Sequence, residues 1–392
     1  MLILKIIIWF FLFIVFYAYL GYGILLFVLI RIKRLIVKKK PLPVDVFEPE
    51  VTLFVPAYNE KDFVDEKVKN SFSLEYPKEK VKLVWITDGS DDGTPEHLRK
   101  YDGVEVYHEQ QRAGKIGAIN RGMQFVKTPI AIFSDGNTML GKESIRRIVN
   151  LFRDPKVGCV SGEKRIFNKD SAAGTEGIYW KYESTLKKWD AELYSVVGAA
   201  GELFALRTEL FRPVEPDTLL DDFIISLRIA EQGYTIQYDP DAYGIENPSA
   251  NVKEELKRRI RNCAGGIQSI VRLKELLNPF RYGMLSFQYI SHRVLRWTIA
   301  PLGLLIMLVC SCIVTGIEGV FNFSSVYTWL FWGQVLFYFS AGLGWYLEER
   351  KIKFKLLFVP YYFFIMNLAV YLGFARYMKK QQSVNWERAK RG

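Results

Sequence analysis

Four long runs of apolar residues in this chain carry almost no charge. Residues 1–30 contain a single charged residue, Lys5, and three later runs contain none: Trp297–Ile317, Val326–Leu347 and Leu356–Ala375. A helix of about 20 apolar residues is long enough to cross a bilayer. The pattern therefore predicts an N-terminal transmembrane helix over 1–30 and C-terminal transmembrane helices over 301–375. Buried core helices are the alternative, but runs this long without charge are atypical of them.

Short apolar stretches alternate with amphipathic stretches between residues 49 and 285. Four of the short stretches predict strands, at Val51–Val55, Val81–Ile86, Val104–Tyr107 and Ile130–Phe133. Four amphipathic stretches predict helices, at Lys61–Leu74, Pro95–Tyr101, Lys115–Val126 and Glu143–Phe152. This alternation is typical of an α/β domain with a mostly parallel sheet, which binds ligands at the carboxyl ends of its strands.

The net charge of +11 comes from the two segments beside the apolar runs. The linker 31–48 begins with a run of cations, and the tail 376–392 is also basic, so the domain between them is near neutral and nucleic acid is not expected as a partner. Cations beside apolar spans indicate a cytoplasmic anchor on anionic lipids. The sequence thus predicts an integral protein of the cell membrane with its 49–285 domain in the cytoplasm.

Two features leave the topology open. Residues 286–300 mix His292, Arg293 and Arg296 with apolar residues, which predicts an interfacial helix on the membrane. Three further spans would place the tail outside the cell, whereas its basic residues favour the inside.

The strongest candidate for metal binding follows the stretch Ile130–Phe133. Asp135 and Asn137 would provide a carboxylate and an amide oxygen at a strand end, where Mg²⁺ or Mn²⁺ could bridge them and a diphosphate. An ordinary Asp-Gly turn is the alternative.

Two further strand-end motifs suit a nucleotide. Asp88 follows the predicted strand 81–86, where its carboxylate could accept hydrogen bonds from a base or ribose. Arg112 and Lys115 flank Gly114 at the start of a predicted helix, a place that suits a phosphate. A plain acidic turn and a solvated basic turn are the alternatives.

A pair of acids, Asp221 and Asp222, lies inside an apolar run before an amphipathic helix. Asp is seldom buried without a partner, so the pair predicts a general base whose apolar surroundings raise its pKa. Helix capping is the alternative. A stretch of small residues at Val197–Phe204 would let an extended ligand approach the backbone, although tight packing explains it nearly as well.

A later helix presents two arginines on one face. Asn251–Glu254 resembles a capping box, and Gly265-Gly266 predicts the end of this helix. Arg258 and Arg261 would converge on a diphosphate, with a solvated basic face as the alternative.

Taken in order, these motifs resemble those of the family 2 membrane glycosyltransferases, which include poly-N-acetylglucosamine, hyaluronan and cellulose synthases. The matching motifs are Pro56-Ala-Tyr-Asn-Glu60, Asp88-Gly-Ser-Asp-Asp-Gly-Thr94, Arg112-Ala-Gly-Lys115, Asp135-Gly-Asn137, Asp221-Asp222 and the arginine-rich helix. The resemblance implies a GT-A fold, a nucleotide-sugar donor such as a UDP-sugar, Mg²⁺ or Mn²⁺, and an inverting displacement.

The resemblance also implies roles for individual residues. Asp222 would be the base, beside Asp221, and Asp135 with Asn137 would hold the metal. The donor would contact Pro56, Tyr58, Glu60, Asp88, Arg112, Lys115, Asp135, Arg258 and Arg261.

This chain departs from the resembled pattern in two places. Polymer-forming relatives carry Gln-x-x-Arg-Trp, whereas this chain has Arg258-Arg-Ile-Arg-Asn262 and so lacks the Trp that would stack on an acceptor sugar. Asn137 is neutral where a second Asp would bind the cation more tightly.

Three functions therefore stay open. The leading one is extension of a polysaccharide or lipid-linked glycan. The second is a single transfer to a polyprenyl phosphate, and the third is an inactive nucleotide-sugar-binding scaffold for a secretion complex.

Overall fold

The computed structural model describes residues 1–37, 46–166, 174–247, 252–350 and 355–382. An eight-stranded sheet lies at the centre of the soluble region. Its strands are β1 (Val51–Ala57), β2 (Val81–Asp88), β3 (Val104–Glu109), β4 (Ile130–Ser134), β5 (Met139–Leu140), β6 (Val157–Ile166), β7 (Leu203–Arg207) and β8 (Thr235–Glu246).

Fifteen α-helices are assigned over the described ranges. They are α1 (Leu2–Phe16), α2 (Tyr22–Ile36), α3 (Val64–Phe72), α4 (Thr94–Leu98), α5 (Gly114–Gly122), α6 (Ser144–Leu151), α7 (Gly174–Leu193), α8 (Asp221–Glu231), α9 (Val252–Arg272), α10 (Pro279–Tyr282), α11 (Met284–Tyr289), α12 (Leu295–Trp297), α13 (Ile299–Glu318), α14 (Val326–Glu349) and α15 (Lys355–Met378). The four strands and four helices predicted between residues 51 and 152 are confirmed to within a few residues at each end.

The strands lie in the order β3-β2-β1-β4-β7-β6-β8-β5. The first four are parallel to one another, β6 and β8 are parallel, and β7 runs antiparallel between β4 and β6. The carboxyl ends of β1, β2, β4, β6 and β8 therefore meet at one edge of the sheet. The α/β fold class predicted from the sequence is confirmed.

Both faces of the sheet are buried at its centre, which explains why the strands β1 and β4 are largely apolar. Along β1, Phe54 packs into the core on one face, while Leu53 and Val55 pack into the core on the other. The strand-like run at the end of the small-residue stretch is β7, whereas β5, β6 and β8 were not predicted. Their pairing partners are distant in sequence, and β8 alternates buried and partly exposed residues over much of its length.

Three helical segments are long and apolar enough to cross a membrane: Leu2–Ile36, Ile299–Glu318 and Leu356–Met378. The first contains α1 and α2, joined through a π-helical turn at Tyr17–Gly21. Helix α14 has 24 residues, but its Trp, Tyr and Gly residues lower its hydropathy and it is not among the three. Of the three predicted C-terminal spans, two are thus supported by length and composition.

The segment predicted as an interfacial helix is helical from Met284 to Trp297 except for a π-helical turn. Its cations do not reach outward, because His292 is fully buried and contacts Asp190 Oδ2 at 2.5 Å and Glu183 Oε1 at 3.0 Å. Arg293 and Arg296 also bind Glu183, at 2.9 and 3.0 Å. These three side chains thus form buried ion pairs with α7, and the position of the segment on a membrane surface stays a prediction.

Helix α9 corrects one prediction, because it continues to Arg272 rather than ending at the glycine pair. A Cβ on Gly265 would lie 2.6 Å from the Leu220 side chain, and a Cβ on Gly266 would lie 2.6 Å from Trp297. The glycines allow close packing and do not stop the helix. Residues 38–45 of the basic linker, Asn251 of the predicted capping box and residues 383–392 of the tail lie outside the described residues.

Candidate active site

The loop after β1 is fastened to the acidic turn after β2. Asn59 has a positive φ of 53° and exchanges side-chain and backbone hydrogen bonds with Asp91, at 2.8 and 3.0 Å. Asp92 accepts a hydrogen bond from the backbone N–H of Lys61 at 3.1 Å, and Thr94 Oγ1 accepts one from Glu60 at 3.1 Å. The second half of the acidic motif thus shapes the loop that carries Tyr58 and Glu60.

Asp88 lies at the end of β2 and is almost fully buried. Its Oδ2 accepts hydrogen bonds from the backbone N–H groups of Ala113 and Gly114, at 2.9 and 2.7 Å. Arg121 contacts its Oδ1 at 3.3 Å. The carboxylate therefore holds the N-terminus of α5 in place, in addition to lining the cleft described below.

Arg112 is stacked on an aromatic ring. Its guanidinium carbon lies 3.5 Å from the ring centroid of Tyr58. Gly89 makes this stack possible, because it has φ of +69° and a Cβ there would lie only 2.6 Å from Cβ of Arg112. A planar cation and an aromatic ring at the mouth of a cleft suit the flat base of a nucleotide.

A cleft opens at this edge of the sheet, with about 440 Å³ of space that includes its open mouth. It unites residues from the ends of β1, β2 and β4 and from the start of α5, and seven of the predicted site residues line it: Pro56, Tyr58, Glu60, Asp88, Arg112, Lys115 and Asp135. These residues are spread over 80 sequence positions, from Pro56 to Asp135, and the parallel strands bring them together.

At the deep end of the cleft, a buried cation joins two acids. Lys115 Nζ lies 2.8 Å from Asp135 Oδ1 and 3.3 Å from Asp221 Oδ2. Burial alone would lower the pKa of Lys115, but the two carboxylates outweigh it and raise that pKa. For Asp135, burial outweighs the attraction of Lys115 and raises the pKa.

Asp222 lies in the first turn of α8, directly after Asp221. Burial, reinforced by the charge of Asp221, raises the pKa of Asp222 to about 7. Leu220 is the N-cap of α8, and both acids lie in the first turn of this helix. A carboxyl group with this pKa can accept a proton at neutral pH.

The two candidate arginines of α9, Arg258 and Arg261, have different surroundings. Arg261 is largely buried and lies near the acid cluster, because Asp221, Asp222 and Asp135 all act on its charge, while burial lowers its pKa. Arg258 instead forms an ion pair with Glu255 on its own helix at 2.9 Å. Of the two predicted diphosphate contacts, Arg261 lies near Asp135, Asp221 and Asp222, whereas the charge of Arg258 acts on Glu202 and Lys164.

A divalent cation would find few protein ligands here. Asp135 is buried at the cleft and Asn137 follows it in the same turn, partly exposed. Across the described ranges, no group of three or more His, Cys, Asp or Glu residues could hold a metal ion. One carboxylate and one amide oxygen fit a hard cation whose other ligands are water and phosphate oxygens, which is the usual manner of Mg²⁺ binding.

Two sets of side chains that hold the site loops in place were not predicted from the sequence. The first is Lys67, at the Asp135 turn. Lys67 is fully buried, and its Nζ donates to Ser134 Oγ at 2.7 Å and to the carbonyl of Thr138 at 2.5 Å, on either side of the Asp135 turn. Burial lowers the pKa of Lys67 to about 7. A lysine on the inward face of an amphipathic helix could have revealed it, since Val64 and Val68 share that face.

The second missed group holds the loop before Asp221. Gln268 accepts a hydrogen bond from the backbone N–H of Leu219 at 3.0 Å and donates one to the carbonyl of Asp217 at 2.9 Å. Arg272 binds Asp217 Oδ1 at 2.6 Å. Nothing in the local sequence signals these contacts, because they join segments about 50 residues apart.

Comparison with known proteins defines the class. Residues 49–265 match the model of the glycosyltransferase like family 2, more than half of the chain, so this chain belongs to glycosyltransferase family 2. Its eight-stranded sheet is that of a GT-A glycosyltransferase.

The individual relatives share less than 30% sequence identity with this chain. The poly-β-1,6-N-acetyl-D-glucosamine synthases of Staphylococcus aureus are 28% identical over 262 residues, which cover 64% of this chain and 62% of theirs. A probable glycosyltransferase of Bacillus subtilis is 26% identical over 59% of this chain and 58% of its own. The chain thus spans less than two thirds of these relatives' length.

One solved structure resembles the whole chain. A mannosyltransferase from Pyrobaculum calidifontis, determined in complex with GDP-mannose and Mn²⁺, has a TM-score of 0.70 and 22% identity. The superposition covers 97% of this chain and 100% of that one. At this sequence identity, the structural similarity is evidence for the fold alone.

Proposed function

We propose that this protein is a membrane-embedded inverting glycosyltransferase that moves a sugar from a nucleotide donor, a UDP-sugar, to a growing polysaccharide. The observation that carries the proposal is that Lys115 and Asp135, which line the cleft, meet the acid pair Asp221 and Asp222 of α8 beside it. Membership of family 2 and the similarity to poly-N-acetylglucosamine synthases support the reaction class and the acceptor class.

Asp222 acts as the general base in this proposal. Its carboxylate takes the proton of an acceptor hydroxyl while that oxygen attacks the anomeric carbon of the donor. The bond from this carbon to the diphosphate oxygen breaks on the opposite side, which inverts the anomeric configuration. A pKa of about 7 leaves a substantial fraction of Asp222 ionised at neutral pH.

The departing nucleoside diphosphate carries negative charge that the site must stabilise. Lys115 and Arg261 supply two fixed cations beside the acid cluster. Asp135 and Asn137 would hold Mg²⁺ or Mn²⁺, which when bound neutralises diphosphate charge. Arg112 and Tyr58 would accept the base. Asp88 accepts hydrogen bonds from the first N–H groups of α5 and so fixes the start of this helix, which carries Lys115, beside the diphosphate.

We also propose that the catalytic domain lies in the cytoplasm of a cell with its helices in the plasma membrane. Three apolar helices and the basic segments beside them support this orientation. Nucleotide sugars are then supplied on the domain's side, and lipids and the glycan are its partners, with secretion-complex subunits as further partners.

A donor panel tests the proposal. Full-length protein in detergent is mixed with UDP-, GDP- and TDP-sugars and Mn²⁺ or Mg²⁺, and nucleotide release and product length are measured. We expect release from a UDP-sugar and a ladder of products, both absent in Asp222→Asn. Release by that variant at the wild-type rate would remove Asp222 from the mechanism, and release from no donor would support the inactive scaffold.

A second candidate, one transfer to a polyprenyl phosphate, is favoured by one observation. Asn262 is exposed at the position where polymer-forming relatives carry an aromatic side chain for the acceptor sugar. A single addition product from polyprenyl phosphate, with no ladder from an oligosaccharide, would establish this candidate instead.

A further inference from the structure

A second charged cluster lies at the same sheet edge as the cleft, on the other half of the sheet. Lys164 lies near the end of β6, Glu246 ends β8, and Glu202 directly precedes β7. Because Ser134 at the end of β4 pairs with Leu203, the start of β7 adjoins the Asp135 turn. The cleft is lined from β1, β2 and β4, so this cluster flanks Asp135 on the side away from the donor.

Lys164 joins the two glutamates. Its Nζ donates a hydrogen bond to Glu246 Oε2 at 2.7 Å and another to Glu202 Oε1. Thr138 in turn donates to Glu246 Oε1 at 3.0 Å, which ties the cluster to the Asp135 turn. The side chains of Lys164 and Glu246 are 8% and 4% exposed, whereas that of Glu202 is 19% exposed. Glu202 is therefore the member of the cluster that solvent, or a ligand, can reach.

The backbone next to Glu202 touches the proposed base. A Cβ on Gly201 would lie 3.1 Å from Oδ2 of Asp222, so no side chain separates this backbone from the carboxylate. The charge of Glu202 also acts on Asp222 and contributes to its raised pKa. In an in-line displacement the acceptor oxygen approaches the anomeric carbon from the side opposite the leaving diphosphate, and Asp222 must lie beside that oxygen to take its proton. With the diphosphate in the cleft lined from β1, β2 and β4, the acceptor would therefore approach past Gly201 and Glu202, which lie beside Asp222 at the start of β7.

We propose that Glu202, held in place by Lys164, accepts a hydrogen bond from a hydroxyl of a sugar acceptor next to the one that attacks. This inference rests on the proposed function and deepens it. A carboxylate accepts hydrogen bonds from hydroxyl groups, and a phosphate monoester would instead meet the negative charges of Glu202, Asp221 and Asp222. Lys164 keeps Glu202 ionised, since its charge and hydrogen bond lower the pKa of Glu202 to about 2 against the effect of burial. The acceptor is thus a neutral sugar rather than a lipid phosphate.

Kinetics with two substrates test this role. Full-length wild-type protein and Glu202→Gln receive the active donor and a tetramer of β-1,6-linked N-acetylglucosamine, with polyprenyl phosphate as a parallel acceptor. We expect the KM for the tetramer to rise about tenfold in Glu202→Gln, as for the loss of a hydrogen bond to a charged group. The donor KM and the slow hydrolysis of donor without acceptor should stay within about twofold of wild type, which also shows that the variant is folded.

Glu163→Gln provides a matched control. Glu163 neighbours Lys164 on β6, is similarly buried, pairs with Lys187 at 3.7 Å and accepts a hydrogen bond from Tyr238 at 2.6 Å. We expect wild-type KM values for this variant.

The possible results separate the two proposals. An unchanged tetramer KM in Glu202→Gln, a parallel fall in donor hydrolysis, or a preference of the wild type for polyprenyl phosphate would each overturn the role of Glu202 in an otherwise active enzyme. A wild-type protein that turns over no donor would refute both the proposed function and this inference.

Discussion

Lys115 and Asp135 form a buried ion pair, 2.8 Å from Nζ to Oδ1, that joins the start of α5 to the carboxyl end of β4. The same ammonium group reaches Asp221 at 3.3 Å. One cation thus connects the donor cleft, the predicted metal turn and the helix that carries the base.

Replacing this cation should destabilise the domain. Lys115→Met leaves two buried carboxylates without their shared partner, and we expect a loss of about 3 to 5 kcal/mol in the free energy of unfolding. Added Mn²⁺ should raise the thermal midpoint more in this variant than in wild type, because a cation can replace the lost charge. Differential scanning fluorimetry measures both, with the exposed Lys127→Met as the control. An unchanged midpoint in Lys115→Met would contradict the pairing.

The base itself should be indispensable for turnover. Asp222→Asn keeps the shape of the side chain but cannot accept a proton, so kcat should fall by about two to four orders of magnitude. Donor affinity, measured by calorimetry, should change little because Asp222 does not line the cleft. Glu231→Gln, at the other end of α8, is the control and should retain activity.

The rate should depend on pH near neutrality. Burial and Asp221 raise the pKa of Asp222 to about 7, and only the ionised form accepts the acceptor proton. We therefore expect kcat to rise with pH through about 7 and to fall as the pH is lowered below it. Turnover at saturating donor over roughly pH 5 to 9 tests this, with donor affinity measured at each pH. A flat profile would mean that another group takes the proton.

Gly89 should be required for the Arg112–Tyr58 stack. Gly89→Ala combines a positive φ with a clash against Arg112, so we expect a loss of about 2 to 4 kcal/mol in stability and a raised donor KM. Gly233→Ala separates the two effects, because Gly233 has φ of +95° and open space around its Cβ position. That control should cost only about 1 kcal/mol and leave the donor KM unchanged. Equal effects in the two variants would rule out the clash.

The buried charges around His292 should fasten the catalytic domain to the membrane helices. Asp190 accepts hydrogen bonds from Tyr22, Gln288 and His292, so Asp190→Ala leaves several buried donors unpaired. We expect a loss of about 3 to 5 kcal/mol, seen as a lower thermal midpoint in detergent. Glu192→Ala, whose partner Arg34 is 49% exposed, should cost less than about 1 kcal/mol. Similar midpoints for the two variants would show that the buried network contributes little.

The sequence was sufficient for the first half of the sheet but not for the second. The strands β1, β2 and β4 are largely apolar and buried over most of their length, and amphipathic helices alternate with the strands in this half of the domain. The strands β6 and β8 contain charged residues, such as Lys164 and Glu246, that are buried as an ion pair between segments about 80 residues apart. A local pattern cannot reveal such a partner.

The amino-acid sequence by itself determined the apolar helices, the alternation of strands and helices, and the list of acids and cations at strand ends. These follow from local periodicity and composition, which act over a few residues. Tertiary structure alone decided which of these groups meet. It directed Arg261 to the acids and Arg258 to Glu255, turned His292 inward, and brought Glu202 beside Asp222. Such choices depend on strand order and helix packing, because buried charges must find partners wherever the fold places them.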